Sequence, residues 1–112
     1  MLPAPPDRQW KDEGPEMSRP ATATIQVDNE RVRVTEWRFA PGESTGFHRH
    51  QFDYVVVPMT TGRLRLIDAD GAEAYSKLEA GVSYFREAGV EHDVINANDF
   101  EFTFVEIELK EA

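Results

Sequence analysis

The chain has no cysteine among its 112 residues. This absence excludes disulfides, thiolate nucleophiles and cysteine-bound zinc, so any metal site must use histidine, carboxylate or tyrosine side chains. The sequence also lacks an apolar run of the roughly 18 to 20 residues that a membrane-spanning helix needs. Its first residues, MLPAPPDRQW, do not combine a basic region with an apolar stretch, as a secretory signal does. We therefore expect a cytoplasmic protein with no membrane partner.

Basic residues are scarce. The 12 Lys and Arg residues are outnumbered by 21 Asp and Glu residues, which gives a net charge of −9. Because so acidic a surface repels phosphate groups, nucleic acid is not an expected partner. Hydrophobic residues make up 40% of the chain, which is enough apolar mass for one domain with a core.

Proline is concentrated near the start of the chain, where residues 1–20 hold five of the seven prolines. We interpret residues 1–20 as a proline-rich N-terminal arm and residues 21–112 as a single β-barrel domain. Trp10 is the bulky apolar residue of the arm and is suited to an anchoring contact.

From residue 21 onward, short β-branched and aromatic runs alternate with Gly, Pro, Asn and Asp at fairly even intervals. No helical periodicity competes with this pattern. The predicted strands are 22–27, 31–39, 47–52, 54–59, 63–68, 72–77, 82–85, 90–97 and 101–109. So many short strands in about 90 residues predict an all-β sandwich or jelly roll, whose closure limits exposed edges.

Two of these strands are apolar on both faces, since residues of equal parity share a face of a strand. The residues concerned are Val32 and Val34 against Trp37 and Phe39 in strand 31–39, and Phe100, Phe102 and Phe104 against Val105, Ile107 and Leu109 in the last strand. A strand of this kind either lies deep in a sandwich or covers the interior with one face and a partner subunit with the other, and we favour the second alternative. We therefore predict a homodimer.

All three histidines lie in two short segments. His48 and His50 are two residues apart on a predicted strand, so both imidazoles project from one face and suit two ligands of one ion. His92 lies on another strand, which a jelly roll can bring beside the first. We predict that His48, His50 and His92 hold a divalent metal ion and leave positions open for water or substrate.

Both histidine segments carry a longer pattern. The residues are Gly42 followed after five residues by His48-Arg49-His50, and then Gly81, Gly89, His92 and Asn96. This pair of motifs, in this order, resembles the two motifs of the cupin superfamily and covers roughly residues 22–109. The resemblance implies an antiparallel double-stranded β-helix, or jelly-roll barrel, with a metal inside and commonly a dimer. The stretch FDYVVVP, residues 52–58, is also similar to a small group of bacterial cupins named for β-alanine degradation.

The chain departs from the cupin pattern at one metal-binding position. Cupins usually place a Glu ligand about four residues after the second His, whereas here Tyr54 occupies that position and Asp53 precedes it. In a regular strand Tyr54 faces the interior and Asp53 faces outward, but a bulge would reverse them and make Asp53 the fourth ligand. The sequence therefore leaves open three histidines with Tyr54 nearby, a ligating Asp53, or no bound metal. Glu87 also replaces a proline usual in the second motif, which we expect to change only a turn.

The missing carboxylate affects the net charge of the predicted metal site. An ion held by three neutral imidazoles keeps its full 2+ charge, so we expect an anionic or chelating ligand in the interior. Such donors suit Fe, Zn or Ni and do not choose among them. Tyr54 is the predicted catalytic acid or base, because a nearby cation lowers a phenol pKa from about 10.

Other residues are secondary candidates, each with a simpler structural interpretation. Phe47, Phe52 and Phe85 could wall the pocket or belong to the core; Arg38 and Arg86 could bind a substrate carboxylate or form surface ion pairs; Asn96 could donate to a ligand or to a turn. The sequence leaves two functions open. One is a metal-dependent enzyme acting on a small anionic metabolite as an oxygenase, lyase or isomerase, and the other is a non-catalytic module that binds a small molecule.

Overall fold

The structure is a computed structural model that describes residues 19–110, which contain nine strands and no helix. The strands are β1 (Thr22–Asp28), β2 (Val32–Phe39), β3 (His48–Arg49), β4 (Asp53–Pro58), β5 (Gly62–Asp68), β6 (Glu73–Leu78), β7 (Tyr84–Arg86), β8 (Glu91–Asn96) and β9 (Phe102–Leu109). The all-β prediction is therefore confirmed. The predicted contact of Trp10 lies outside the described residues, and the division into an arm and a barrel stays a prediction.

The strands form two sheets, which together make the predicted double-stranded β-helix. One sheet has five strands in the order β1-β2-β9-β4-β7, and the other has four in the order β3-β8-β5-β6. Every pairing between these strands is antiparallel. No helix in the described part of the chain has the length and apolar character needed to cross a membrane.

Aromatic and aliphatic side chains from the facing sheets fill the interior. Phe39 and Phe102 have no exposed surface, and Tyr54 is 2% exposed. The ring of Phe39 also lies 5.4 Å from the ring of Phe104. These residues lie on β2, β4 and β9 of the five-stranded sheet and all point to its inner face, because side chains alternate in direction along a strand. The aromatic core fills one part of the barrel and leaves the rest to polar side chains.

The outer face of the five-stranded sheet carries a continuous apolar row. Cross-strand pairing aligns one residue from each strand, in the order Val27, Val34, Ile107, Val55 and Phe85. The predicted second apolar face of β2 and β9 is therefore present. Phe100 was expected to share a face of the last strand with Phe102 and Phe104, but it lies before β9 and is 45% exposed.

The strand predicted for residues 47–52 is much shorter, because β3 contains only His48 and Arg49. Gly46 precedes it with a φ of +83°, and Gly89 on the facing segment has a φ of +100°. These left-handed conformations bend the chain on both sides of the pairing. His50 lies outside β3 but is hydrogen-bonded to the facing segment. Its N–H donates to the Val90 carbonyl at 2.9 Å, and its carbonyl accepts from the Gly89 N–H at 2.8 Å.

Candidate metal centre

Three imidazoles meet inside the barrel where β3 pairs with β8. His48 lies directly opposite His92 in that ladder, and His50 follows two residues later. The Nε2 atoms of His48 and His50 are 2.9 Å apart, and those of His50 and His92 are 3.2 Å apart. The structure thus brings together the three histidines that the sequence selected.

The spacing of these nitrogen atoms fits one shared ion. Two ligand atoms that each lie about 2.1 Å from one ion are about 3.0 Å apart at a right angle and about 3.4 Å apart at the tetrahedral angle. The Nδ1–H of His48 donates to the Gly46 carbonyl at 2.8 Å, which leaves its Nε2 lone pair free in the neutral ring. Lone pairs that point at one another repel, and a cation between them removes that repulsion.

Burial keeps two of the imidazoles neutral. Removal from water and, to a smaller extent, the charge of a protonated His48 together lower the pKa of His50 to about 4. The same two causes lower the pKa of His92 to about 3. Because a metal binds the neutral imidazole, a cation at this cluster does not compete with a proton on either ring at neutral pH.

Tyr54 lies directly behind the cluster. Its ring stacks on the imidazole of His50, with centroids 3.9 Å apart and an interplanar angle of 19°. Its buried hydroxyl has no hydrogen-bond partner among residues 19–110. It lines an inner cavity of about 20 Å³, which is room for about one water molecule. Burial raises the pKa of Tyr54 to about 12, so the phenol is neutral.

Asp53 is not placed as a ligand. It is exposed, and its Oδ1 accepts a hydrogen bond from the Ala88 N–H at 2.8 Å. The bulge that would have turned Asp53 inward does not occur, because Asp53 and Tyr54 both pair in regular register with β9. The expected alternative of a fourth ligand at Asp53 is therefore wrong.

The barrel contains a carboxylate that sequence reasoning missed. Glu106 on β9 is 9% exposed, and its Oε2 lies 3.8 Å from His50 Nε2. Burial, with a smaller contribution from the neighbouring charge of Glu108, raises the pKa of Glu106 to about 7, although a hydrogen bond from Trp37 opposes both causes. The interior is thus not free of carboxylates, which corrects the expectation that the histidines stand without one. Glu106 shares parity with Phe102 and Phe104, and that signal could have placed it inside.

A mouth of about 320 Å³ opens beside the histidines. It is lined by Ala23, Ile25, Arg33, Thr35, Trp37, Thr45, His48, Arg49, His50, Glu106 and Glu108. Within it, the Arg33 Nη1 lies 3.3 Å from the Glu108 Oε1. Arg33 also went unnoticed in the sequence, although it shares strand parity with the inward-facing Trp37 and Phe39.

Most of the secondary candidates lie away from the mouth. Phe47 and Phe85 are 56% and 53% exposed, and Phe52 lines neither of the two cavities beside the histidines. Arg38 forms an exposed ion pair with Glu36 at 3.2 Å. The interpretation of Arg38 as part of a surface ion pair is therefore correct. None of the three phenylalanines lines the pocket.

Arg86 and Asn96 have different positions. Arg86 borders the inner cavity together with Tyr54. Asn96 is 2% exposed, and its Nδ2 donates to the carbonyls of Phe39 at 3.1 Å and Phe100 at 2.8 Å. Of the two roles expected for Asn96, these contacts correspond to the turn.

Comparisons with known proteins agree with this arrangement. A family model described as a cupin domain matches residues 35–108. The chain is 59% identical over 90 residues to the "Beta-alanine degradation protein BauB" of Pseudomonas aeruginosa, a match that covers 80% of this chain and 94% of that protein.

Solved structures give the same result. A cupin domain from Bordetella pertussis Tohama I superposes with a TM-score of 0.80 at 62% identity, covering 85% of this chain and 99% of that one. A cupin superfamily protein from Desulfitobacterium hafniense DCB-2 superposes with a TM-score of 0.64 at 16% identity, covering 84% of this chain and 81% of that one. The second likeness concerns the fold alone.

Proposed function

The chain belongs to the cupin family, and from that premise we propose that it is a metal-binding cupin that acts on a small anionic metabolite. The observation that carries the proposal is the convergence of three imidazole Nε2 atoms, with separations of 2.9 and 3.2 Å. His48, His50 and His92 are the proposed ligands. Fe, Zn or Ni is the proposed ion, since imidazole suits each of them.

A divalent ion at this cluster supplies Lewis-acid chemistry, polarising a bound oxygen atom or activating water or dioxygen. The protein's own part is to hold the ligands and exclude bulk water. The hydrogen bond from His48 to Gly46 fixes one ring, and the stacking of Tyr54 on His50 fixes another. The reaction class we propose is an oxygenation or a proton transfer of the lyase or isomerase type.

The proposed substrate is a small carboxylate. The mouth of about 320 Å³ lies at the small end of the range for ligand pockets. Arg33 lines it with a guanidinium group whose Nη1 is paired with Glu108 and whose Nη2 is left for a substrate carboxylate. The name of the P. aeruginosa relative supports a metabolite from β-alanine degradation. Arg33, rather than Arg38, is thus the proposed anchor for the anionic end.

Tyr54 remains the proposed catalytic acid. Its hydroxyl carries a proton, has no partner among the described residues and lines the inner cavity, not the mouth. It would therefore pass its proton to the substrate through a water in that cavity. A proton donor of this kind typically contributes about 10²-fold to 10⁴-fold to a rate. In metal-loaded protein, Tyr54→Phe should lower turnover by that factor while the metal content stays unchanged.

We also propose that the protein is a homodimer and that it works in the cytoplasm. The apolar row on the outer face of the five-stranded sheet supports the dimer, because Phe85 is 53% exposed and Val27 is 43% exposed. A second copy of this face would remove both side chains from water.

Metal analysis of protein purified without an affinity tag tests the proposal. We expect about one transition metal ion per chain, and loss of that ion in His50→Ala while Tyr54→Phe keeps it. Absence of metal, with no uptake after incubation with Fe²⁺, Zn²⁺ or Ni²⁺, would overturn the metal site.

Titration calorimetry with β-alanine and other three-carbon acids then tests the ligand class. Binding that needs the metal, followed by turnover, supports the enzyme. Saturable binding that is unchanged in His50→Ala and His92→Ala would instead favour the non-catalytic module.

A further inference from the structure

Glu106 lies at the centre of the barrel, between the two cavities that flank the histidines. On β9 it pairs with Val56 of β4 on one side and Thr35 of β2 on the other, so its strand is covered along both edges. Its side chain lines both the inner cavity and the mouth. Only about 11% of that side chain is exposed. The carboxyl group is therefore held in the interior beside His50.

No lysine or arginine in residues 19–110 forms an ion pair with Glu106. Glu108, two residues further along the same strand, is paired with Arg33 at 3.3 Å. A buried carboxylate without a cationic partner is costly, whereas one beside a cation is stabilised. The neutral His50 does not supply that cation, but an ion bound to the three histidines does.

We propose that Glu106 is the carboxylate of the metal centre and compensates the charge of the ion. This inference rests on the proposed function. The Glu106 Oε2 is 3.8 Å from the His50 Nε2, and two ligands that each lie about 2.1 Å from one ion can be up to about 4.2 Å apart. Glu106 is thus near enough to act directly on an ion held by His50.

The two alternatives at residues 53 and 54 do not supply this charge. Asp53 is exposed and bonded to the Ala88 N–H, and Tyr54 presents its ring face to His50. The negative charge that the usual cupin pattern places at position 54 is therefore supplied from the last strand, 52 positions later. With it, the charge of the centre falls from 2+ to 1+, which still attracts a small anion.

Two matched substitutions test this assignment. Glu106→Gln and Glu108→Gln each remove one negative charge from the same face of β9, but only Glu108 has an arginine partner. We expect Glu106→Gln to weaken Co²⁺ binding, followed by visible absorption, by about 10-fold to 100-fold. Glu108 also has a carboxylate oxygen within 4.8 Å of the ligand atoms of His50 and Glu106. We expect Glu108→Gln to weaken Co²⁺ binding by less than Glu106→Gln does, because the charge of Glu108 is already balanced by Arg33.

Equal Co²⁺ affinity in Glu106→Gln and the wild type would overturn the assignment, as would an equal loss in both variants. Thermal unfolding of the metal-free proteins checks that each variant folds. If Glu106→Gln does not fold, Glu106→Asp keeps the charge on a shorter side chain. Tighter Co²⁺ binding by Glu106→Asp than by Glu106→Ala supports the assignment, and equal affinity in these two variants overturns it. Failure of the wild type to bind any divalent ion would overturn the proposed function itself, which is a separate result.

Discussion

The phenol ring of Tyr54 lies parallel to the imidazole of His50, with the ring centroids 3.9 Å apart. This contact supports one face of the His50 ring. Because the Tyr54 hydroxyl has no partner among the described residues, the ring rather than the hydroxyl group supports the imidazole.

Substitution of Tyr54 separates the two parts of this side chain. Tyr54→Phe keeps the ring, so we expect a change of less than about 1 kcal/mol in the free energy of unfolding and no loss of metal affinity. Tyr54→Ala leaves a cavity and should cost about 3 to 5 kcal/mol, with weaker metal binding because His50 is no longer held. Urea unfolding and metal titration check both variants. A Phe variant as unstable as the Ala variant would contradict this account.

Asn96 should contribute to the free energy of unfolding and not to metal binding. Its amide joins the carbonyls of Phe39 and Phe100, and Asn96→Ala leaves these groups without a donor. We expect a loss of about 1 to 3 kcal/mol in the free energy of unfolding. Asp99→Ala, at an exposed position three residues away, should change it by less than about 0.5 kcal/mol. A reduced metal stoichiometry in folded Asn96→Ala would contradict this prediction and show that Asn96 also supports the metal site.

The metal-free protein should lose stability as the pH falls below about 6.5. Below that pH the unfolded chain binds a proton at both His50 and His92, whereas the folded chain does so only near pKa values of about 4 and 3. Glu106 acts in the opposite sense, because its pKa is raised to about 7 and it keeps a proton that the unfolded chain loses. These three groups together leave two protons minus one, which is a fall of at most about 1.4 kcal/mol per pH unit between about pH 6.5 and 4.5. Burial also raises the pKa of Asp93, which makes the fall shallower toward the acid end of this range.

Removing Glu106 makes this pH dependence steeper. In Glu106→Gln the two histidine protons are no longer opposed, so the fall should approach about 2.7 kcal/mol per pH unit in the same range. Denaturant titrations at several pH values, with a chelator present, measure both slopes. Parallel curves for the two proteins would mean that Glu106 does not hold its proton in the folded state.

The outer apolar face gives a direct test of the dimer. Phe85 on β7 is 53% exposed and lies at the end of the apolar row, while Tyr75 on β6 of the other sheet is 55% exposed. We expect Phe85→Glu to convert a dimer to a monomer because it places a charge in the interface, and Tyr75→Glu to leave the dimer intact. Light scattering coupled to gel filtration measures the mass. A wild type that runs as a monomer, or dissociation of both variants alike, would exclude this face.

Most of the fold followed from local sequence. Turn residues and alternating apolar positions gave all nine strands, and the spacing of His48 and His50 gave two ligands on one face. The short β3 was not predicted, because glycine conformations at Gly46 and Gly89 end the pairing there. Exposure of Phe47 and Phe85 was also missed, since strand parity does not say which face of a strand is covered.

The carboxylate was missed for a different reason. The usual cupin carboxylate lies near position 54 in the sequence, whereas Glu106 reaches the centre through the β4–β9 and β2–β9 pairings. Such long-range pairing brings together residues that are distant in sequence, and no motif of fixed spacing contains them. The parity of β9 would have placed Glu106 on the inner face, but not beside His50.

The ladder that joins β3 to β8 has only two residue pairs, His48 with His92 and Arg49 with Glu91. Backbone hydrogen bonds outside the ladder continue the contact on both sides, from the Thr45 N–H to the Val94 carbonyl and between His50 and residues 89–90. An ion shared by His48 and His92 would be a cross-link between positions 44 residues apart, and closing a loop of that length restricts the unfolded chain by about 4 kcal/mol. In a chain without cysteine, the metal would then serve the role of a disulfide, in a form that a chelator removes.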